Sequence, residues 1–190
     1  MWWFISDEHL GHTKILRPDY CNRAVTLGTP SIEDHDEEII LRHNERVENN
    51  DTVVHGGDTC WAKNYEEAHR KYIRRLNGTH IFLRGSHDHW LPKSAKCRWR
   101  RMIDGYFVVV DHYAGRTWER AYHGAWQLYG HWHHAHSRDI GLQCNITVDV
   151  NDFYPLSFED IQKKMEDRKK YMHSWKGQLD RWILRKLRIL

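Results

Sequence analysis

Short apolar runs alternate with amphipathic stretches along the first half of the chain. Trp2-Trp3-Phe4-Ile5-Ser6 is a continuous aromatic-rich run, the pattern of a buried strand, and the polar stretch Asp7 to His12 follows it directly. Residues 31–47 read as a helix with Ser31 as N-cap and Ile39, Ile40, Arg42, His43 and Val47 on its faces. Thr52-Val53-Val54-His55 predicts a second buried strand, closed by Gly56-Gly57 and then Asp58. Tyr65 to Leu76 predicts a helix, and Asn77-Gly78 ends it by supplying the left-handed C-cap conformation. His80-Ile81-Phe82-Leu83 predicts a third strand that runs into Gly85-Ser86-His87-Asp88.

The pattern then changes. Tyr106 to Val110, Arg116 to His123, Gln127 to Tyr129 and Cys144 to Val150 read as successive strands joined by short turns. Ser157 through Asp160 resembles a capping box opening a helix at Phe158. A last helix carries Leu179, Trp182, Ile183, Leu187 and Leu190 at helical spacing, with Lys and Arg on its other face. Strand-helix-strand units followed by strands predict an α/β sandwich with part of the sheet mixed or antiparallel.

At 190 residues and 40% apolar composition, one globular domain is expected, with residues 161–190 as an extension packed on it. No segment approaches the ~20 apolar residues of a membrane span, and the start shows no signal-peptide pattern, so a cytoplasmic protein is expected. The four cysteines form no CxxC pair, which excludes a zinc ribbon or thioredoxin-type site. The net charge of +3 is unevenly spread. Residues 161–190 hold ten Lys and Arg against three acidic residues, whereas the remaining 160 hold 19 against 23. Sixteen histidines are the compositional anomaly, and imidazole suits metal ligation and proton transfer near neutral pH.

The three early strands end in Asp7-Glu8-His9, Gly57-Asp58 and Gly85-Ser86-His87-Asp88, and the later ones in His112 and Gly130-His131-Trp132-His133. Ligands bind at the carboxyl ends of strands in open α/β sheets, so these clusters should converge. Residues i and i+2 of an extended segment point the same way, which lets Asp7 with His9, and His131 with His133, reach one ion. Carboxylate plus imidazole without thiolate favours Mn, Fe, Zn, Co or Ni over Ca and disfavours a structural zinc site.

In this order the clusters resemble the calcineurin-like metallophosphoesterases, whose pattern is DxH, GD, GNH(D/E), H, GHxH, and the resemblance spans about residues 1–160. Asp7 to His12 and Asp149 to Ser157 are similar to the small phage- or bacteria-borne members. The resemblance implies a four-layer α/β sandwich of two mixed β-sheets flanked by helices. It implies two divalent ions, manganese first, with Fe, Zn, Co or Ni as alternatives. Asp7, His9 and His133 would hold one ion, with Asp58 bridging to a second held by His112, His131 and the residue at position 86. A hydroxide between ions ~3.5–4 Å apart would attack phosphorus. His87 would protonate the leaving oxygen or stabilise the phosphate, with Asp88 orienting its ring. The family has Asn where this chain has Ser86, and the shorter, weaker hydroxyl predicts a weakened second site.

Lesser candidates surround these. His12, His123 and His134 lie near the clusters; Trp61, Trp90 and Trp132 could wall a substrate; Arg84, Arg116 and Arg138 could meet phosphate oxygens. His35, His43, His55, His69, His80, His89, His136 and His173 read as ordinary. The expected function is hydrolysis of a phosphodiester or phosphomonoester, with a nucleotide or nucleic acid among the substrates, by a monomer or homodimer. The alternatives are an impaired metal-binding scaffold and a nucleic-acid-binding module resting on the basic tail.

Overall fold

A computed structural model describes residues 1–134 and 139–173. Two mixed four-stranded sheets flanked by helices form an α/β fold, as expected. The first sheet is built from β1 (Trp2–Ile5), β2 (Thr52–His55) and β3 (Thr79–Phe82), all parallel, with the two-residue β8 (Leu156–Ser157) antiparallel to β1. In the second, β4 (Arg98–Ile103) runs antiparallel to β5 (Tyr106–Asp111), while β6 (Trp126–Tyr129) and β7 (Gln143–Asn145) continue parallel.

The helices are α1 (Arg23–Thr26), α2 (Ile32–Arg46), α3 (Tyr65–Lys71) and α4 (Phe158–His173). The Ser31 hydroxyl accepts the Asp34 N–H at the start of α2, satisfying one orphan donor of the first turn. Ser157 and Asp160 make the reciprocal capping bonds that open α4.

Alternation along the strands creates two cores. Trp3, Ile5 and Val53 join Ile39, Ile40, Ala68 and Tyr72 of the helical side. Phe4 and Val54 point the other way and meet Val108, Val110 and Leu128 of the second sheet, together with Ile161 and Met165 of α4.

Four expectations are corrected. Residues 116–123 form no strand; the segment is a loop ending in a 3-10 turn, Ala121–His123, set between left-handed Arg120 (φ 58°) and Gly124 (φ 80°) and pinned by the Trp118 indole on Ala125 O at 2.9 Å. The strand expected over 144–150 ends at Asn145, because the Asn145 and Asn151 side chains bond the Thr147 N–H and the Asn145 and Thr147 carbonyls and turn the chain into a 3-10 turn, Val148–Val150. The second predicted helix stops at Lys71 and tightens into a 3-10 turn, Ile73–Arg75. The fourth difference is that α1, β4 and β8 are additional to the expectation. The apolar stripe Leu179, Trp182, Ile183, Leu187 and Leu190 lies outside the described residues, as do His136 and Arg138.

Candidate metal centre

Parallel β1, β2 and β3 carry Asp7 and His9, Asp58, and Ser86 with His87 just beyond their carboxyl ends, and β5 and β6 carry His112, His131 and His133. The first two loops pair by backbone: Asp7 N–H donates to Gly57 O, His9 N–H to Asp58 O and Leu10 N–H to Thr59 O, each at 3.0 Å. Asp7, His9, Asp58 and His131 all adopt left-handed backbone, with φ between 53° and 67°. Each such non-glycine residue costs on the order of 1 kcal/mol and persists only where surrounding bonds over-determine it. Glycine is required where these loops touch: a Cβ on Gly85 would stand 2.3 Å from Asp58 Oδ1, and one on Gly130 2.3 Å from Asp7 Oδ2.

The side chains converge into two groups that could hold metal ions, Asp7, His9 and His133, and Asp58, His112 and His131, each with donor atoms within 4.8 Å of one another. His9 Nε2 lies 3.8 Å from Asp7 Oδ1, and His133 Nε2 lies 3.5 Å from the same oxygen. A single atom, Asp58 Oδ2, lies 3.9 Å from His9 Nε2 in the first group and 3.3 Å from His112 Nε2 in the second.

The unsatisfied atoms test whether ions fit. Asp7 Oδ1, His9 Nε2 and His112 Nε2 are buried without a hydrogen-bond partner among the described residues. The far side of two of these residues is firmly bonded. Asp7 Oδ2 accepts from Ser6 Oγ at 2.6 Å, His131 N–H at 2.8 Å and Thr147 Oγ1 at 3.2 Å. The His112 Nδ1–H donates to Gly56 O at 3.1 Å, leaving Nε2 as the lone-pair nitrogen. A buried polar atom without a partner costs about 1–3 kcal/mol, and Asp7 Oδ1 and His9 Nε2 in one group and His112 Nε2 in the other are lone pairs that cations could take. Carboxylates and imidazoles without thiolate fit Mn, Fe, Zn, Co or Ni.

Burial holds His9 well below the usual imidazole range, in the neutral form a ligand needs. Burial would also lower His112, but its approach to Asp58 outweighs that and raises it. His133 is likewise opposed by burial, yet the Asp149 carboxylate on its Nδ1 pushes it up to about 10. Burial disfavours the Asp58 charge, but the facing histidines hold its carboxyl below the ordinary range. The His133 ring beside Asp7 thus carries a proton that an incoming cation would displace.

The remaining expected residues fall as follows. The exposed Ser86 hydroxyl donates to Asp58 Oδ2 at 2.9 Å, the oxygen shared between the two groups. The half-buried His87 ring stands 5.4 Å from His9, 5.2 Å from His12 and 5.4 Å from Trp61, and the His87 backbone N–H donates to Asp58 Oδ1 at 2.7 Å. Asp88 has other partners than the His87 ring it was expected to orient. Its buried carboxylate accepts the N–H groups of Asp58 at 2.6 Å, Thr59 at 2.9 Å and Gly85 at 2.9 Å, and the Trp90 indole at 2.9 Å. Asp88 therefore fixes the Asp58 loop, and Trp90 is core rather than a substrate wall. Trp61 and Trp132 are half-exposed; Trp61 stacks on His12 with centroids 4.5 Å apart. Burial, then the neighbouring His87, lowers His12 to about 4. His123 and His134 are exposed.

Two networks escaped the sequence reading. Arg23, fully buried, donates from Nε and Nη2 to the two Asp149 oxygens at 2.9 and 2.7 Å, from Nη1 to the Glu8 carbonyl at 2.9 Å and from Nη2 to the Asp7 carbonyl at 2.7 Å. Its Nη1 also lies 3.1 Å from His35 Nε2, and His35 Nδ1 lies 3.0 Å from Asp36, whose carboxylate receives the Gly11 N–H. The second network links Glu8 Oε1 to His55 Nδ1 at 2.5 Å and His55 Nε2 to His80 Nδ1 at 3.0 Å. Burial pushes Glu8 up to about 8 and lowers His55 to about 3 and His80 to about 4, so all three are neutral at pH 7 and Glu8 is the donor. A lone Arg or Glu in a polar stretch carries no sequence signal of such burial; only the excess of histidine hinted at it.

No family model matches the chain. It is 29% identical over 175 residues to an uncharacterized protein of Methanocaldococcus jannaschii, covering 88% of this chain and 92% of that one. A solved Aquifex aeolicus protein of unknown function superposes with a TM-score of 0.63 at 21% identity, covering 86% of this chain and 98% of the other, which supports the fold. A Streptococcus pneumoniae protein described as a predicted phosphoesterase gives a TM-score of 0.37 at 14% identity, over 77% of this chain and 70% of its own, too low to carry an argument. The chain is thus similar in sequence to an archaeal protein and in fold to a bacterial one, and its chemistry has to be argued from the site.

Proposed function

We propose that the chain is a dinuclear metal-dependent phosphoesterase. The observation that carries this reading is the position of Asp58 Oδ2 between His9 Nε2 and His112 Nε2, with unpartnered, buried donor atoms on either side. One shared carboxylate oxygen between two imidazole-carboxylate groups is the donor arrangement of a bridged ion pair. Asp7, His9 and His133 would hold one ion and His112 and His131 a second, with Asp58 within reach of both and Ser86 beside it. Bound there, two divalent ions supply Lewis acidity toward a phosphoryl oxygen and an activated water.

The protein's own contribution is position and protons. Asp149 and Gly56 fix the His133 and His112 rings through Nδ1, so that Nε2 faces the site. His87, half-buried at the rim beside His9 and Trp61, is placed to donate a proton to a leaving alkoxide or a hydrogen bond to a non-bridging oxygen. Asp88 serves by holding the Asp58 and Gly85 backbones. Substrate is a phosphate ester, a diester or a monoester. No helix of the described residues is long and apolar enough to cross a membrane.

Ser86 supports a second reading, an impaired site, because its hydroxyl already donates to the bridging oxygen. One assay separates the two. Chelator-stripped protein receives Mn, Fe, Zn, Co or Ni singly and is offered bis-p-nitrophenyl phosphate, alongside His131→Ala. Hydrolysis restored by metal and abolished in His131→Ala is the expected result. Absence of turnover with every metal, in this chain and in Ser86→Asn, and with p-nitrophenyl phosphate as well as the diester, contradicts the enzyme reading.

A further inference from the structure

A cleft of about 460 Å³ opens next to the second candidate metal group, lined by Arg84, Lys93, Arg98, Asp111, His112 and Tyr113. Its size lies within the range of small-molecule sites. The charge of this wall is unbalanced. Arg98 is committed to Asp111, with Nε and Nη2 at 2.6 and 3.2 Å from the two carboxylate oxygens, and Gln127 Nε2 adds a 2.7 Å bond to the same carboxylate. Arg84 and Lys93 have no carboxylate partner among the described residues, so the cleft presents two uncompensated cations.

The backbone that carries Arg84 is tied down. It directly precedes Gly85 and Ser86, and its N–H donates to Lys96 O at 2.9 Å, which ties the loop after β3 to the segment carrying Lys93. Tyr113, exposed, lines the same cleft beside His112, with its ring 4.7 Å from His112 and 4.6 Å from His131. Two cations, the imidazole of a candidate metal ligand and an exposed aromatic ring bordering one cleft are the fittings for two anionic groups joined by an uncharged spacer.

We propose that this cleft is a subsite for a second phosphate, so that the preferred substrate is a phosphoester carrying another phosphate one nucleoside away from the scissile bond. The inference rests on the phosphoesterase reading for the identity of the reacting group, but the subsite can be measured without turnover. A singly charged ester with neutral arms, such as bis-p-nitrophenyl phosphate, leaves Arg84 and Lys93 unmatched.

The test compares thymidine 3′,5′-bisphosphate with thymidine 5′-monophosphate by calorimetry on the manganese-loaded full chain. In parallel, the 5′-p-nitrophenyl ester of thymidine 5′-phosphate is assayed with and without a 3′-phosphate. The bisphosphate is expected to bind about tenfold tighter or more, the scale of one hydrogen bond between charged groups, with a matching fall in KM. Arg84→Ala, Lys93→Ala and their combination, each checked for a parental melting curve, should bring both ratios toward one. Equal affinity for the two nucleotides, or an advantage that survives in the double variant, overturns the subsite. Equal KM for two hydrolysed esters overturns the subsite and leaves the phosphoesterase reading standing. A bisphosphate advantage that needs Arg84 and Lys93, with neither ester hydrolysed, supports the subsite and overturns the diesterase form of the phosphoesterase reading.

Discussion

Asp149 Oδ2 accepts the Nδ1–H of His133 at 2.6 Å, while Nε2 of the same ring points at Asp7 Oδ1 from 3.5 Å. The carboxylate that orients the ring is itself gripped by both arms of the buried Arg23 fork, and Arg23 also binds the carbonyls of Asp7 and Glu8. One guanidinium thus sets the positions of candidate ligands that follow β1 and β6, two strands in different sheets. Asp149→Asn keeps the shape but removes the charge, and it should weaken metal binding by about 10–100-fold. It should also cost roughly 3–5 kcal/mol of stability, because Arg23 becomes an unpaired buried cation. Competition against a chelator and a denaturant melt read the two effects separately; unchanged metal affinity would remove Asp149 from the site.

Ser86 sits where its hydroxyl donates to the one oxygen shared by both groups, which draws electron density from the atom a second ion would use. Replacing it with Asn places a longer, strongly polarised carbonyl oxygen at the same position. Ser86→Asn should therefore raise affinity for the second ion by about tenfold, the worth of one added charge-assisted contact, while leaving the first ion unaffected. A metal titration with two resolved steps measures this, and a shift confined to the tighter step would show that position 86 serves the other ion.

His43 on α2 supplies a pH prediction away from the metal groups. It is buried, its Nε2–H donates to Asn77 O at 3.0 Å, and its ring faces His55 of β2 and His80 of β3. Burial, and then the neighbouring His55, lower it to about 3. The unfolded chain, with an ordinary imidazole near 6.5, binds the proton first as pH falls, so this contribution to stability is present above that value and is lost between about pH 6.5 and 3. For one such histidine the loss from pH 7 to 5 is about 2 kcal/mol, or about 4–8 °C in melting temperature. His43→Gln retains an N–H donor and cannot charge. Its melting temperature relative to the parent should improve by that amount on acidification, and a pH-independent difference would refute the assignment.

Much of this site was legible in the sequence because its chemistry is conspicuous. Buried strands read as apolar runs, and Asp or His directly after such runs can be found without coordinates, so the six residues that converge into the two candidate groups were named from the chain alone, although Ser86, expected with them, falls in neither. What the chain hides is burial that depends on distant partners. Arg23 and Asp149 lie 126 positions apart, and only packing turns an ordinary arginine into an internal clamp. Glu8, His55 and His80 are similar, since neutrality comes from desolvation rather than from residue type. Edge strand β4 was missed because its Arg98, Arg100 and Arg101 face solvent and give no apolar alternation, a common protection against edge pairing. The false strand at 116–123 arose from aromatic and β-branched residues whose indole anchors a loop instead.

The central claim, a bridged pair of ions on Asp58, is tested most directly by manganese titration of chelator-stripped protein with electron paramagnetic resonance at each step. The account predicts two ions per chain and, at the second, the exchange-coupled spectrum of two manganese ions sharing a ligand. In Asp58→Asn the coupled signal should disappear. A single uncoupled ion at saturation, or no binding, would contradict it.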